Sequence, residues 1–326
     1  MAGGGAARRG CRGHDRAAGP GGIVTPGRRA ALLGAAAAPF LLAAALTAFP
    51  ELALGTWRLA ARWRYGARAG EIEAGDARLR YLEVGRGRPV LLLHGLRGEG
   101  TVLLPLAREL ARRGFRAVTI DLPGHGRSPA PIRPLDIGAA ANLLLEAAGR
   151  LEMGPRPALV GHSLGGWIVA YAALRDPGRC GPVVLVSSPG LPFDPPPLPQ
   201  LLSTTVAQAR ASLPLLFARP PRFVPAPLLW IAVRRPAGTS AALLASALSG
   251  RFLLDGLLEG LAVPALVIFG EQDRLVPPRI GREMADRIGT RFEIVPGAGH
   301  MVVWERPAAT AERIGAFLAA PPSAPE

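Results

Sequence analysis

The segment Gly161-His162-Ser163-Leu164-Gly165 follows an apolar run ending at Val160 and leads into Gly166-Trp167-Ile168-Val169-Ala170-Tyr171, which reads as a helix. A serine between two glycines at a strand-to-helix turn has the form of a nucleophile. The glycines permit a turn too tight for side chains, and the turn lifts the hydroxyl above the sheet at a helix N-terminus that favours negative charge. A serine hydroxyl is a weak nucleophile and needs a base within hydrogen-bond reach. The chain has five histidines. His14 lies in a Gly/Arg-rich tail, His162 adjoins the serine in a turn that points it elsewhere, and His94 and His125 lie in Gly-rich loops after early strands. His300, in Gly297-Ala298-Gly299-His300 after the last strand, is the base by elimination.

The base needs an acid that fixes its tautomer and stabilises the imidazolium. Asp273, in Gly270-Glu271-Gln272-Asp273, has a shorter side chain than Glu271 and precedes Arg274-Leu275-Val276-Pro277, so it is chosen over Glu271. Attack on a carbonyl creates an oxyanion, which needs prearranged N–H donors. The donors assigned are the backbone N–H of Leu164, directly after the serine, and that of Leu96, in His94-Gly95-Leu96-Arg97-Gly98. Arg97 reads as a solvated loop residue rather than an anion ligand. Asp121-Leu122-Pro123-Gly124-His125-Gly126-Arg127-Ser128 has no lysine before its serine, as a phosphate loop would require. It is read as shaping the floor of the site.

Short apolar strands alternating with helices must position these groups. The strands are read at 89–93, 116–120, 158–160, 183–186, 265–269 and 292–295, preceded by two alternating strands at 71–73 and 77–84 around a Gly75-Asp76 turn. Continuous apolar strands indicate a parallel sheet buried on both faces, with chemistry beyond its carboxyl edge. Residues 189–263 break the rhythm. A Pro-rich entry is followed by apolar helical stretches around Leu201–Phe217, Leu228–Val233 and Ala241–Leu258, the pattern of a cap over the site.

Taken together, His94-Gly95, Asp121-x-x-Gly124-x-Gly126-x-Ser128, the Ser163 pentapeptide, Gly270-x-x-Asp273 and Gly299-His300 resemble the α/β-hydrolase superfamily over residues 70–320. The order Ser163, Asp273, His300 is the order of that fold. The resemblance implies a mostly parallel central sheet with helices on both faces and a helical cap insertion. A finer likeness, carried by Gly299-His300-Met-Val-Val-Trp-Glu305-Arg306-Pro307 and by Ser187-Ser-Pro-Gly-Leu191, is to membrane-anchored monoacylglycerol-lipase-like members. That branch carries an N-terminal membrane helix. The Arg-rich tail and Pro-rich cap depart from its pattern.

The N-terminal region fits an anchor. Residues 1–29 are rich in Gly, Ala and Arg without apolar periodicity and read as a disordered basic tail. No charge occurs from Ala30 to Pro50, and as a helix that length spans about 30 Å, the thickness of the hydrocarbon layer. Residues 30–55 are therefore expected to be a membrane anchor kinked at Pro39. A juxtamembrane segment, 56–69, follows, in which Trp57, Trp63 and Tyr65 alternate with Arg58, Arg62, Arg64 and Arg68 at headgroup depth. A cleaved export signal introduced by Arg28-Arg29 and a buried Ala-rich helix are the competing readings. The arginine balance favours a cytoplasmic catalytic domain.

The remaining boundaries are a hydrolase core at 70–188 and 264–320, a cap at 189–263 and a disordered tail at 321–326. The chain has 326 residues, 49% of them hydrophobic and 19% charged, with a net charge of +14 carried wholly by arginine. That composition excludes a disordered chain. No nucleic-acid-reading motif accompanies the charge, and Cys11 and Cys180 give neither a disulfide framework nor metal spacing. The expected activity is cleavage of lipophilic carboxylic esters through an acyl-enzyme, with no metal or organic cofactor. A thioesterase, an acyltransferase or a carbon–carbon hydrolase could use the same triad, and a non-catalytic accessory protein could share the fold.

Overall fold

The computed structural model describes residues 49–194, 201–222, 224, 229, 233 and 237–320. Eight strands form one sheet: β1 (Arg68–Ala74), β2 (Ala77–Val84), β3 (Arg88–Leu93), β4 (Phe115–Ile120), β5 (Ala158–His162), β6 (Val183–Val186), β7 (Ala265–Gly270) and β8 (Arg291–Val295). Their order is β1-β2-β4-β3-β5-β6-β7-β8. β1 pairs antiparallel with β2 across a two-residue turn, where Ala74 opposes Ala77 and Gly75 takes φ 56°. β2 runs antiparallel to β4, and all later pairs are parallel.

Nine α-helices complete the described architecture: α1 (Pro50–Tyr65), α2 (Leu104–Arg112), α3 (Ile137–Arg150), α4 (Leu164–Arg175), α5 (Val206–Leu216), α6 (Ala237–Leu248), α7 (Pro278–Ile288), α8 (Val302–Glu305) and α9 (Pro307–Ala319). Side chains alternate between the two faces of a strand, and the core divides accordingly. Leu91, Leu93, Val118, Ile120, Leu159, Leu185 and Val267 pack beneath α3, α4 and α7. Val90, Leu92, Ala117, Val160, Val184 and Ile268 pack beneath α2, α8 and α9. Burial on both faces is why these strands read as unbroken apolar runs.

Three boundaries differ from the sequence reading. β1 begins at Arg68, three residues early, because Arg68, Ala69 and Gly70 pair with Glu83, Leu82 and Tyr81. The helix expected over 241–258 is α6, which stops at Leu248; Gly250 follows at φ 77°, outside the helical region. α1 runs through the position expected to divide anchor from juxtamembrane segment, and its Ala53 and Leu54 are buried. The tail at 1–29, most of the expected anchor (30–48), parts of the cap and the terminal 321–326 lie outside the described residues. Among the described residues no helix is long and apolar enough to cross a membrane.

Candidate active site

Ser163 sits between β5 and α4 at φ 56°, ψ −127°, a backbone conformation rare for any residue but glycine. The local sequence enforces it. A Cβ on Gly161 would lie 2.2 Å from the Gly165 carbonyl oxygen, and one on Gly165 would lie 2.5 Å from that of Leu93. The Ser163 N–H donates to the Val186 carbonyl at 2.8 Å, which fixes the elbow to β6. The helix that follows directs its N-terminal N–H groups and the positive end of its dipole toward the hydroxyl region.

His300 and Asp273 meet as the sequence predicts. The His300 ring, 2% exposed as a residue, has Nδ1 2.9 Å from Asp273 Oδ2. Asp273 Oδ1 accepts from the N–H groups of Leu275 and Val276 at 3.0 and 2.9 Å. The carboxylate is thus held from both sides, and its free direction is toward the imidazole. Asp273 rather than Glu271 therefore meets the imidazole: Glu271 Oε2 accepts from the Gly297 N–H at the outer surface.

Ser163, His300, Leu96 and Leu164 line a single cavity of about 530 Å³, with Asp273 behind the imidazole. The Leu96 and Leu164 N–H groups have no acceptor among the described residues. The loop bearing Leu96 lies close to the serine, since a Cβ on Gly95 would come within 2.8 Å of Ser163 Cβ. The cavity's outer wall is apolar and comes from the insertion, including Leu191, Phe193, Leu213, Leu216, Leu229 and Leu244. The insertion therefore covers the carboxyl edge of the sheet.

Several supports of the site had no distinct sequence signal. His162 faces His300 with ring centroids 5.0 Å apart, and its Nε2–H donates to the His300 carbonyl at 2.9 Å. Burial, aided by the neighbouring His300, pushes the His162 pKa down to about 3, so the ring stays neutral. Glu305 accepts from the Gly299 N–H at 2.7 Å and the Ala218 N–H at 3.0 Å, tying the His300 loop to the cap. The Met301 N–H donates to the Leu216 carbonyl at the end of α5. His94 Nδ1–H donates to the Gly95 carbonyl while Nε2 accepts from the Leu122 N–H, so this histidine braces two loops. His125 Nε2 accepts from Ser240 Oγ at 2.9 Å and holds α6.

Two expectations are corrected. Arg97 is half-buried rather than solvated, and its Nη2 donates to the Val233 carbonyl of the cap. The 121–128 loop does not floor the cavity, since none of its residues lines it. Asp121 instead accepts from the Gly100 and Arg127 N–H groups, and burial raises its pKa to about 6. The loop is tied inward as a brace and faces a different cavity. Among the described residues no cluster of His, Cys, Asp and Glu could hold a metal ion.

A model of the alpha/beta hydrolase family matches residues 90–313, more than two thirds of the chain. The chain belongs to the alpha/beta hydrolase family. It is 34% identical to a pimeloyl-[acyl-carrier protein] methyl ester esterase from Chromobacterium violaceum, over 69% of this chain and 84% of the relative. It is 27% identical to the mouse monoacylglycerol lipase ABHD6, over 72% and 78%. A third relative, the polyketide synthase ThaQ of Burkholderia thailandensis, is 31% identical over 75% of this chain, which spans only 12% of that protein's length. Among solved structures, a membrane phospholipase A described as a bacterial virulence factor superposes with a TM-score of 0.72 at 24% identity, covering 89% of this chain and 98% of the other. That likeness is one of fold. The chain thus has esterase and lipase relatives, beside relatives of other activity.

Proposed function

We propose that the chain is a serine hydrolase that cleaves carboxylic esters of lipophilic substrates, of the monoacylglycerol type or other acyl esters, through an acyl-enzyme. The observation that carries this reading is the cavity in which Ser163 and the Asp273-bonded His300 open onto a wall of cap leucines. An acyl chain is recognised by apolar burial, at about 25 cal/mol per Å² removed from water.

In the proposed reaction His300 Nε2 takes the Ser163 proton as Oγ attacks the carbonyl carbon. The oxyanion of the tetrahedral intermediate is held by the N–H groups of Leu164 and Leu96. Collapse breaks the carbon–oxygen bond of the ester, and His300 hands the proton to the departing alcohol. Water then enters, His300 accepts its proton, and hydroxide attack on the acyl-enzyme releases the acid and restores the Ser163 hydroxyl. Asp273 holds Nδ1–H throughout and stabilises the imidazolium.

The proposal includes a bilayer as the source of substrate, with the uncharged run that precedes α1 as anchor and the catalytic domain on the cytoplasmic side. Directly after the uncharged run, α1 turns Leu52, Leu59 and Trp63 outward, with exposures of 59%, 64% and 87%. Resistance of the full chain to carbonate extraction from membranes is the expected outcome, and release into the soluble fraction refutes the anchor. The catalytic proposal is tested with a fluorophosphonate probe and a panel of p-nitrophenyl esters, glycerol esters and acyl-thioesters. Wild type is expected to label and to hydrolyse the esters, whereas Ser163→Ala does neither. Equal labelling of the two proteins, or turnover of thioesters alone, overturns it.

A further inference from the structure

A second cavity, of about 300 Å³, lies between the inner side of α1, the β1–β2 hairpin and the loop after β4. It shares no lining residue with the cavity that holds Ser163. Four guanidinium groups line it, those of Arg58, Arg62, Arg80 and Arg127, against the carboxylates of Glu71 and Asp121. Both carboxylates already have partners. Glu71 is engaged with Arg80 at 2.6 Å and with Arg78 at 3.4 Å. Asp121 spends both oxygens on backbone N–H groups. Arg58 is committed to Glu99, which bonds it at 2.6 Å, and to the Gly126 carbonyl.

The guanidinium groups of Arg62 and Arg127 form no ion pair with any described residue. The Nε–H groups of Arg62 and Arg80 are shielded from solvent and have no acceptor. A buried donor without a partner is uncommon in folded proteins. Here both belong to guanidinium side chains that line one cavity. Guanidinium groups bind tetrahedral and planar oxyanions through paired N–H contacts, more strongly than neutral donors do.

We infer that this cavity is a binding site for a phosphate group, either on a soluble molecule or on a lipid headgroup. Arg62 and Arg80 donate to the phosphate oxygens from α1 and β2, and Arg127 supplies charge from the rim. The position suits both sources. The cavity lies on the inner side of the helix whose outer side exposes Leu59 and Trp63.

The test uses the full chain in detergent, in a Ser163→Ala background so that no substrate is consumed. Inorganic phosphate is titrated calorimetrically at fixed ionic strength, with chloride as the control anion. Flotation with phosphatidylcholine vesicles, with and without phosphatidic acid, supplies the lipid arm. Saturable phosphate binding, or a phosphatidic acid-dependent gain in flotation, is expected to weaken at least tenfold in Arg62→Gln/Arg80→Gln. Arg62→Lys keeps the charge but loses the paired N–H geometry of the guanidinium, and is also expected to weaken binding; circular dichroism confirms that each variant is folded. Phosphate binding identifies a soluble ligand as sufficient, whereas a response to vesicles alone identifies the headgroup. Absence of both responses, or responses unchanged in folded variants, overturns the inference.

Discussion

Replacement of Asp273 by asparagine separates orientation of the base from its mere presence. In the native site Asp273 Oδ1 accepts from two backbone N–H groups, those of Leu275 and Val276, and Oδ2 accepts from His300 Nδ1. An asparagine must place its carbonyl oxygen where the two backbone donors converge, so its NH₂ group faces the imidazole. The ring must then accept at Nδ1 and carry its proton on Nε2, the nitrogen required to take the Ser163 proton. The geometry survives while the tautomer is wrong. That change costs about ten-thousand-fold in kcat where a buried aspartate orients a catalytic histidine, or about 5 kcal/mol of transition-state stabilisation. Because the backbone bonds persist and one hydrogen bond changes character, stability is expected to fall by only about 1 kcal/mol. Steady-state hydrolysis of a p-nitrophenyl ester, beside a denaturant melt, measures both. Asp273→Asn turning over within tenfold of wild type, with an unchanged melt, would show that His300 is not the base oriented by this carboxylate.

Arg58→Met is expected to destabilise the fold by about 3–5 kcal/mol, because it removes an ion-pair partner from the wholly buried Glu99 side chain; a urea melt unchanged to within 1 kcal/mol would contradict this. The Arg58 guanidinium keeps its proton more firmly than usual, since burial opposes the charge but Glu99 outweighs it. His162 gives a pH signature. Its folded pKa is depressed from 6.5 to about 3, so the stability it contributes is present above 6.5 and is lost progressively as pH falls toward 3. His162→Phe should be less stable than wild type at pH 7, through loss of the bond to the His300 carbonyl. The gap should narrow by up to about 1.4 kcal/mol per pH unit below 6.5, and a constant gap between pH 7 and pH 4 would refute the argument.

The parts legible in sequence were those whose signal is local. Burial on both faces makes β3 to β7 predominantly apolar, and the need for glycine at 161 follows from steric exclusion within five residues. Both therefore appear in a linear reading. Asp273 and His300 were accessible because each follows the end of its own strand, and parallel strands bring those ends to one edge. What escaped notice depends on contacts between distant segments. Glu305 supports the His300 loop and the cap segment that follows α5 together, a role that its place in the run after His300 does not disclose. Arg58 read as a headgroup residue because its neighbours alternate with aromatics. Its partner, Glu99, lies 41 positions later in a loop read only for backbone donors. Arg97 looked like an ordinary loop arginine, since the cap carbonyl it reaches is 136 residues away.

The same division between local and distant contacts explains how the strained serine is maintained. A non-glycine residue at φ 56°, ψ −127° costs about 1–3 kcal/mol, and three independent restraints oppose its relaxation. Chain continuity joins a buried strand to a buried helix. The Ser163 N–H is bound to the Val186 carbonyl. The backbones of Gly161, Gly165 and Leu93 are packed too closely to admit a different path. Relaxing the elbow would move α4, whose Trp167, Ile168, Val169 and Ala170 are all buried. Leu164 would move with them, carrying one of the two proposed oxyanion donors away from the serine. The strain is therefore tied to the packing that aligns the donor with the hydroxyl. A substitution such as Gly165→Ala, which forces a Cβ against the Leu93 carbonyl at 2.5 Å, should impair turnover and stability together.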